Sequence, residues 1–137
     1  MTIEELSKYH NIKDEIMQLE ENIKELEITI IGSSKITGMP LNNTGLNNNP
    51  TERIGIKLAH LKSKLIAKRE KLIDEFNKIE DFLTTVEDSE IRIIIRKRFL
   101  EGKTWNIVSK EIIADRSTPY YRLKKYLKER SLSNEKN

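Results

Sequence analysis

The side chains best suited to bind a polyanion are concentrated near the C-terminus. The segment YYRLKKYL at 120–127 combines lysine and arginine, which neutralise phosphates, with tyrosine, which can reach base edges. Upstream, RFLEGKTW at 98–105 places a glycine between two apolar-periodic stretches. The spacing predicts a helix, a glycine-marked turn, a short second helix and a third helix that is basic and aromatic on its outer side. Such an arrangement is typical of a helix-turn-helix that lies on DNA; the alternative is a small helical bundle with a solvated basic face.

Residue types needed for catalysis or metal binding are absent or badly spaced. The two histidines, His10 and His60, are 50 residues apart, and the chain has no cysteine. The many Asp and Glu residues alternate with Lys on predicted helix faces, which indicates a solvated surface rather than an acid/base pair. We find no glycine-rich phosphate loop and no serine-elbow motif. The sequence therefore predicts a protein that is not an enzyme and has no catalytic residue, metal site or cofactor.

Length and composition limit the possible architectures. A chain of 137 residues has room for one compact domain, or for a small domain plus an extended element. With 36% hydrophobic and 34% charged residues, a large globular core is not expected. No apolar run approaches the roughly 20 residues of a membrane helix, and the N-terminus lacks a signal-peptide pattern. Together with the absence of cysteine, these features predict a soluble, cytoplasmic protein with no membrane partner.

Charge is distributed unevenly along the chain. Residues 1–30 contain 3 basic and 8 acidic residues, whereas residues 90–130 contain 12 basic and 5 acidic residues. A polyanion would be attracted to the second region and repelled by the first. Contact with double-stranded DNA is therefore expected only in the C-terminal domain.

Two heptad repeats occupy most of residues 1–86. The first places apolar residues at alternating steps of three and four, and the second repeats every seven residues from Leu58 to Val86. Lys68 and Glu75 interrupt the companion row of the second repeat, where we expect a polar contact, a register marker or a bend. The first repeat consists of Tyr9, Ile12, Ile16, Leu19, Ile23, Leu26 and Ile30.

The segment between the heptad repeats is rich in glycine, proline and asparagine. Gly32 is expected to end the first helix, residues 32–50 are expected to form a long flexible loop, and Thr51 is a plausible N-cap of the second helix. Two long heptad helices joined by one loop predict an antiparallel coiled-coil hairpin, although the same pattern would serve an intermolecular coiled coil. Because such a hairpin has a thin core, we expect a homo-oligomer formed through the N-terminal helices.

The heptad period breaks near residue 87, where the C-terminal domain is expected to begin. Asp88 or Ser89 can cap its first helix, and Thr104 can cap the second. Pro119 would fall in the first turn of the third helix, where a missing N–H group costs little. The predicted fold is all-α: a two-helix coiled-coil hairpin over 1–86, a small helix-turn-helix domain over 87–130 and a disordered tail over 131–137.

The segment from about Glu90 to Lys128 resembles region 4 of bacterial sigma-70-type factors. The resemblance lies in the turn at 98–105 and in the RLKKYL motif at 122–127, which match without a gap. The chain as a whole, including SKITGMP at 34–40 and PTE at 50–52, resembles small phage and prophage proteins of Gram-positive bacteria, the sigma-like or ArpU/RinA-type late transcriptional regulators. No segment resembles the sigma region that melts the −10 element and docks on core polymerase. A complete sigma factor is therefore not expected.

The resemblance implies specific contacts with DNA. Arg116 would reach guanine O6 and N7, and Tyr120 or Tyr121 would reach a base edge, a thymine methyl group or a phosphate. The outward positions of the implied recognition helix are Arg116, Ser117, Thr118, Tyr120, Tyr121 and Lys124. The implied phosphate contacts are Arg98, Lys103, Thr104 and Lys125.

Two residues depart from the sigma pattern. Ile113 stands where the turn commonly has glycine, and Pro119 stands where a buried aliphatic residue usually lies. The first departure predicts a slightly different turn between the last two helices. The second predicts a differently anchored recognition helix.

Three functions remain open on the sequence. The leading hypothesis is a phage-type transcriptional regulator that reads promoter DNA through its C-terminal domain, while the N-terminal coiled coil mediates self-association or partner binding. The second is a DNA-packaging protein similar to a small terminase, or a replication accessory protein. The third is an interaction protein that binds host RNA polymerase without touching DNA.

The implied guanine contact gives a first prediction. Arg116→Ala should weaken binding to a selected DNA site by about 1–3 kcal/mol and relax the preference at one base pair, because a bidentate contact is lost. Fluorescence anisotropy on the site and its single-base variants measures both effects, once circular dichroism has shown unchanged helicity. A folded variant with wild-type affinity and specificity across a salt series would contradict this placement of Arg116.

Overall fold

The computed structural model describes residues 1–34, 50–115 and 117–135, and their regular structure is entirely helical. Five α-helices, α1 to α5, follow one another along the chain, and α3 continues as a π-helical turn, Arg96–Leu100. The described residues contain no strand, so the predicted all-α class is confirmed. The helices are α1 Ile3–Ser34, α2 Pro50–Thr84, α3 Ser89–Ile95, α4 Trp105–Glu111 and α5 Thr118–Glu135.

Helix α1 packs on α2, and the two run in opposite directions. Glu15 pairs with Lys68, and Glu27 lies 3.2 Å from the Nζ of Lys62. The glutamate later in α1 therefore pairs with the lysine earlier in α2, as in an antiparallel pair. The heptad positions face inward as predicted, with Ile12, Ile16, Ile23 and Leu65 buried.

The ends of α1 and α2 differ in part from the predicted ends. Helix α1 continues through Gly32 to Ser34, because its backbone hydrogen bonds persist past a glycine that lacks only a side chain. Helix α2 begins with Pro50 in the first turn, where proline is tolerated. Most of the predicted loop, residues 35–49, lies outside the described residues.

The two polar residues that interrupt the heptad repeat of α2, Lys68 and Glu75, make different kinds of contact. Lys68 pairs across to Glu15, and the pKa of Glu15 is lowered, first by the hydrogen bond from Lys68 and then by its positive charge. Glu75 is buried, and its carboxylate lies 3.2 Å from the Nζ of Lys78 one turn later in the same helix. The first position is therefore a contact between helices, as predicted, and the second is an ion pair within one helix.

The chain groups into two compact units that differ from the predicted division at residue 86. One unit comprises Met1–Lys13 and Leu72–Asn137, and the other comprises Asp14–Lys71. The first turns of α1 and the last turns of α2 thus belong with α3, α4 and α5. The homo-oligomer expected through the N-terminal helices stays a prediction.

The unit containing α3, α4 and α5 has one continuous hydrophobic core. Leu6 from α1 and Leu83 from α2 are almost fully buried in it beside Ile94 and Leu123. The other buried members are Ile79, Val86, Ile91, Ile95, Phe99, Val108 and Leu127. All five helices therefore contribute side chains to this core. The start of the chain contributes Leu6, which is buried in the same core as the inner side of α5.

The starts of α3 and α4 are stabilised as the sequence indicates. The Asp88 carboxylate accepts hydrogen bonds from the N–H groups of Glu90 and Ile91, at 2.9 and 3.3 Å. The Thr104 hydroxyl accepts from the N–H of Ile107 at 3.3 Å. Each cap satisfies N–H groups that have no partner within the helix.

A glycine closes the end of the helix that begins with α3. Gly102 has φ +74°, and the Lys103 N–H donates to the Lys97 carbonyl at 3.0 Å. A Cβ atom at Gly102 would lie 3.6 Å from two ring atoms of His10, so the imidazole borders this turn. The His10 side chain is half-buried there.

Helix α5 is anchored at its start and extends further than predicted. Pro119 is fully buried in the first turn, so it fills the position where the sigma pattern has a buried aliphatic residue. The helix continues to Glu135, which includes residues 131–135 of the predicted tail, while residues 136–137 lie outside the described residues.

The role of Leu6 gives a second prediction. Leu6→Ala should lower the free energy of unfolding by about 2–5 kcal/mol, because it opens a cavity in the shared core. The single tryptophan, Trp105, packs against this core, so its fluorescence during guanidinium unfolding reports the loss. Leu132→Ala, at a side chain 51% exposed, is the control and should change the free energy by at most about 0.5 kcal/mol. An unchanged Trp105 transition in Leu6→Ala would contradict the shared core.

Candidate nucleic-acid interface

Helix α5 has one buried side and one exposed side. Pro119, Leu123 and Leu127 are buried, and Tyr120 and Tyr126 beside them are half-buried. The opposite side, which we call the α5 face, consists of Ser117, Tyr121, Lys124, Lys125 and Lys128, all exposed. Their spacing places them on one side of an α-helix.

Many basic residues of the C-terminal helices form ion pairs within the unit. Arg96 binds both carboxylate oxygens of Glu80, at 2.7 and 3.0 Å, and Arg122 pairs with Glu90. The hydrogen bond to Glu80 raises the pKa of Arg96 above its ordinary value. These cations are engaged within the fold.

Lys103 belongs to a cluster with two carboxylates. Its Nζ lies 2.7 Å from Glu111 and 3.2 Å from Glu101, while Lys97 lies 2.6 Å from Glu111. Hydrogen bonds to Glu111 and then Glu101 raise the pKa of Lys103, and those from Lys103 and then Lys97 lower the pKa of Glu111. Lys103 is therefore charged and paired within the unit.

Three further arginines bind atoms of the fold without an acidic partner. Arg92 donates to the carbonyls of Val86 and Glu87 at 2.6 and 2.9 Å. Arg98 donates to the Lys103 carbonyl at 3.0 Å, and its guanidinium lies 5.1 Å from the centre of the Trp105 ring. Arg130 donates to the Tyr126 hydroxyl at 3.0 Å and also contacts Thr85. All three are held in fixed positions.

Among the described residues of the C-terminal helices, the basic side chains that remain are lysines. Within residues 89–115 and 117–135, Lys110, Lys124, Lys125 and Lys128 have no carboxylate within ion-pair distance. Three of these four lie on the α5 face, and Lys110 lies exposed on α4. Among the described basic residues of these helices, the side chains that neither pair with a carboxylate nor hydrogen-bond to the fold are thus concentrated on one side of α5.

A row of aromatic rings leads from the core to the α5 face. Phe99 and Trp105 meet edge to face at 6.1 Å, and Trp105 meets Tyr120 at 5.4 Å. Tyr120 in turn contacts Tyr121 at 5.4 Å, and Tyr121 is 63% exposed. The packing fixes the position of Tyr120 and presents the ring of Tyr121 to solvent beside the unpaired lysines.

The turn between α4 and α5 adopts a conformation that favours glycine. Ile113 has φ +54° and is 94% exposed, and the following Ala114 N–H donates to the Ser109 carbonyl at 2.8 Å. A β-branched residue rarely adopts this left-handed conformation. The turn therefore has the backbone expected of a glycine despite the isoleucine.

The structure brings only some of the predicted contact residues to the α5 face. Ser117, Tyr121, Lys124 and Lys125 lie on it, and Thr118 and Tyr120 are half-buried beside it. Arg98, Lys103 and Thr104 instead bond within the unit. Arg116 lies outside the described residues.

Two lysines with the same properties were missing from the predicted set. Lys128 is four residues after Lys124 and seven after Tyr121, so helical spacing places it on the α5 face. Lys110 lies on the exposed side of α4. The helical period could have identified Lys128, whereas the exposure of Lys110 depends on how α4 packs.

Comparison with protein-family models, curated proteins and solved structures finds no match for this chain. The resemblance to sigma region 4 therefore stays a prediction from the sequence motifs. Within the described ranges, no three His, Asp or Glu side chains are grouped as metal ligands. None of the described helices combines the length and apolar character needed to cross a bilayer.

The strained turn gives a third prediction. Ile113→Gly should stabilise the protein by up to about 1 kcal/mol, because relief of left-handed strain of about 1–2 kcal/mol exceeds the entropic cost of glycine. Guanidinium unfolding followed by Trp105 fluorescence measures the change. Ile113→Ala is the matched control: it removes the exposed side chain but keeps the Cβ atom, so it should gain less. Equal effects of the two substitutions would show that the backbone at 113 is unstrained.

Proposed function

We propose that this chain is a DNA-binding transcriptional regulator of the phage type. In this proposal α4, the turn at Ile113 and α5 form a helix-turn-helix, and α5 enters the major groove of double-stranded DNA. The N-terminal helices mediate self-association or hold a partner protein, and the protein acts in the cytoplasm of a bacterial host.

The separation of paired from unpaired cations carries the proposal. The fold engages Arg92, Arg96, Arg98, Arg122 and Arg130 and leaves the α5 lysines without carboxylate partners. A merely solvated basic surface has no reason to collect the cations that lack bonds to the fold on one helix face. A polyanion would bind that face with release of its counterions.

The dimensions of α5 agree with major-groove binding. Eighteen residues make a helix of about 27 Å, and the major groove admits an α-helix. Lys124, Lys125 and Lys128 would contact phosphates along the groove walls. Tyr121 would face the base edges, where a thymine methyl group or a hydrogen-bond acceptor meets its ring or hydroxyl.

The predicted contacts that bond within the unit have a different role in the proposal. Arg98 and Thr104 fix the turn that precedes α4, through the Lys103 carbonyl and the Ile107 N–H. Lys103 could bind a phosphate only by leaving Glu101 and Glu111. We therefore assign these three residues to positioning α4 and α5, with Lys103 at most a secondary contact.

The self-association part of the proposal is supported by apolar side chains left on the surface. Within Asp14–Lys71, several large hydrophobic side chains are more than half exposed. A second copy of the hairpin would bury them and thicken its core. They are Met17, Ile28, Ile31, Ile56 and Ile66.

Loss of one α5 lysine gives a fourth prediction. Lys125→Ala should weaken specific and non-specific DNA binding alike and reduce the slope of log K against log salt by about 0.9, because one phosphate contact is lost. Anisotropy titrations from about 50 to 200 mM salt, on a site selected from genomic fragments that co-purify with the protein, measure both effects.

A lysine outside the C-terminal helices provides the control for net charge. Lys57→Ala removes the same charge from exposed α2 and should leave the salt slope unchanged. Equal slopes for both variants would exclude Lys125 as a phosphate contact. Wild-type protein without salt-sensitive DNA binding would refute the proposed function.

A further inference from the structure

A groove of about 610 Å³ separates the first turn of α1 from α5. One wall includes Thr2 and Glu4, and the other includes Tyr120, Lys124, Lys128 and Ser131. Both walls belong to the same compact unit, in which Leu6 anchors the start of α1 in the core. The groove is therefore a fixed feature of the surface beside α5.

The groove is continuous with the α5 face. Lys124 and Lys128 are one helical turn apart and belong to both surfaces. A helix lying in the major groove has a phosphate backbone on each side, so the flank with these two lysines would face one strand. The first turn of α1 lies along that flank.

The polar groups of the groove suit a phosphate. Lys124 and Lys128 have no carboxylate within ion-pair distance in the described part of the chain, and both can donate to phosphate oxygens. The Thr2 oxygen accepts from the Glu5 N–H at 3.1 Å, which leaves its hydroxyl proton able to donate. Arg130 also lines the groove, but it is bound to Thr85 and Tyr126.

One carboxylate, on the α1 wall of the groove, would repel a bound anion. Glu4 is exposed in the groove wall and has no ion-pair partner within residues 1–34, 50–115 and 117–135. Glu135 lines the groove as well, at the last described residue of α5. The neighbouring Glu5 does not line the groove, but its carboxylate lies 3.8 Å from the amine of Met1, a residue that does line it.

We propose that this groove binds a backbone phosphate of the DNA whose major groove holds α5, and that Glu4 weakens this contact by charge repulsion. Lys124 and Lys128 supply the positive charge, and the first turn of α1 supplies the second wall. The inference rests on the proposed function. It adds to the DNA interface a residue more than 110 positions away in the sequence from the helix that reads the DNA.

Two substitutions in α1 test the role of Glu4. Glu4→Gln and Glu21→Gln each remove one negative charge from an exposed position of α1, so they change the net charge equally, and Glu21 does not line the groove. Glu4→Gln should bind a DNA duplex about threefold more tightly at low salt, as expected for one charge several ångströms from a phosphate in water, and the gain should shrink as salt rises. Glu21→Gln should change the affinity less than twofold. Circular dichroism and Trp105 fluorescence confirm that both variants are folded.

A third variant tests the groove independently of Glu4. Lys128→Gln should reduce the salt slope by about 0.9, as expected for a lost phosphate contact. Equal affinities of Glu4→Gln and Glu21→Gln, or an unchanged slope in Lys128→Gln, would overturn the groove as a phosphate site. Salt-sensitive binding by the wild type would then still support α5 as the DNA contact, whereas its absence would overturn both proposals.

Discussion

The burial of Leu6 and Leu83 in one core with Ile94 and Leu123 is the constraint on which the rest of the C-terminal unit depends. Three short helices alone would have a small core, because α3 and α4 have only seven residues each before the π turn is counted. The first turns of α1 and the last turns of α2 supply the missing apolar surface. The position of α5 is therefore set by residues from both ends of the chain.

Arginine and lysine have different roles in this unit. Every described arginine in α3, the π turn and α5 donates to a carboxylate, carbonyl or hydroxyl of the fold, whereas the described cations of α4 and α5 with neither a carboxylate partner nor a hydrogen bond to the fold are all lysines. Guanidinium groups have several donors in fixed geometry and suit such structural bonds, while an ammonium group is a mobile point charge. The α5 lysines therefore suit phosphates. In the proposed complex with DNA, preference for one base sequence would have to come from other side chains such as Tyr121.

The sequence predicted where the helices lie, but it did not predict several of the side-chain contacts that they make. Apolar periodicity identified all five helices, and the residue types at Asp88 and Thr104 identified two caps, because these signals are local. Leu6 was missed because the heptad pattern starts at Tyr9 and does not reveal what a preceding leucine touches. Arg98 and Lys103 were predicted to contact phosphate because a sequence gives the charge of a side chain but not the carboxylate or carbonyl that packs against it. The left-handed backbone at Ile113 is equally hidden, since β-branched residues normally exclude it.

Glu4 and Leu6 connect the stability of the unit to the charge beside α5. The two residues share one turn of α1, and one lines the groove while the other is fully buried in the core. A displacement of this turn would expose Leu6 and also move a carboxylate relative to Lys124 and Lys128. Exposing a leucine costs about 1.5–3 kcal/mol, which keeps the turn in place. The Glu4 carboxylate, and its contribution to the electrostatic potential beside α5, therefore stay in place as well. Packing at the start of the chain thus sets both where α5 lies and how strongly its lysines attract an anion.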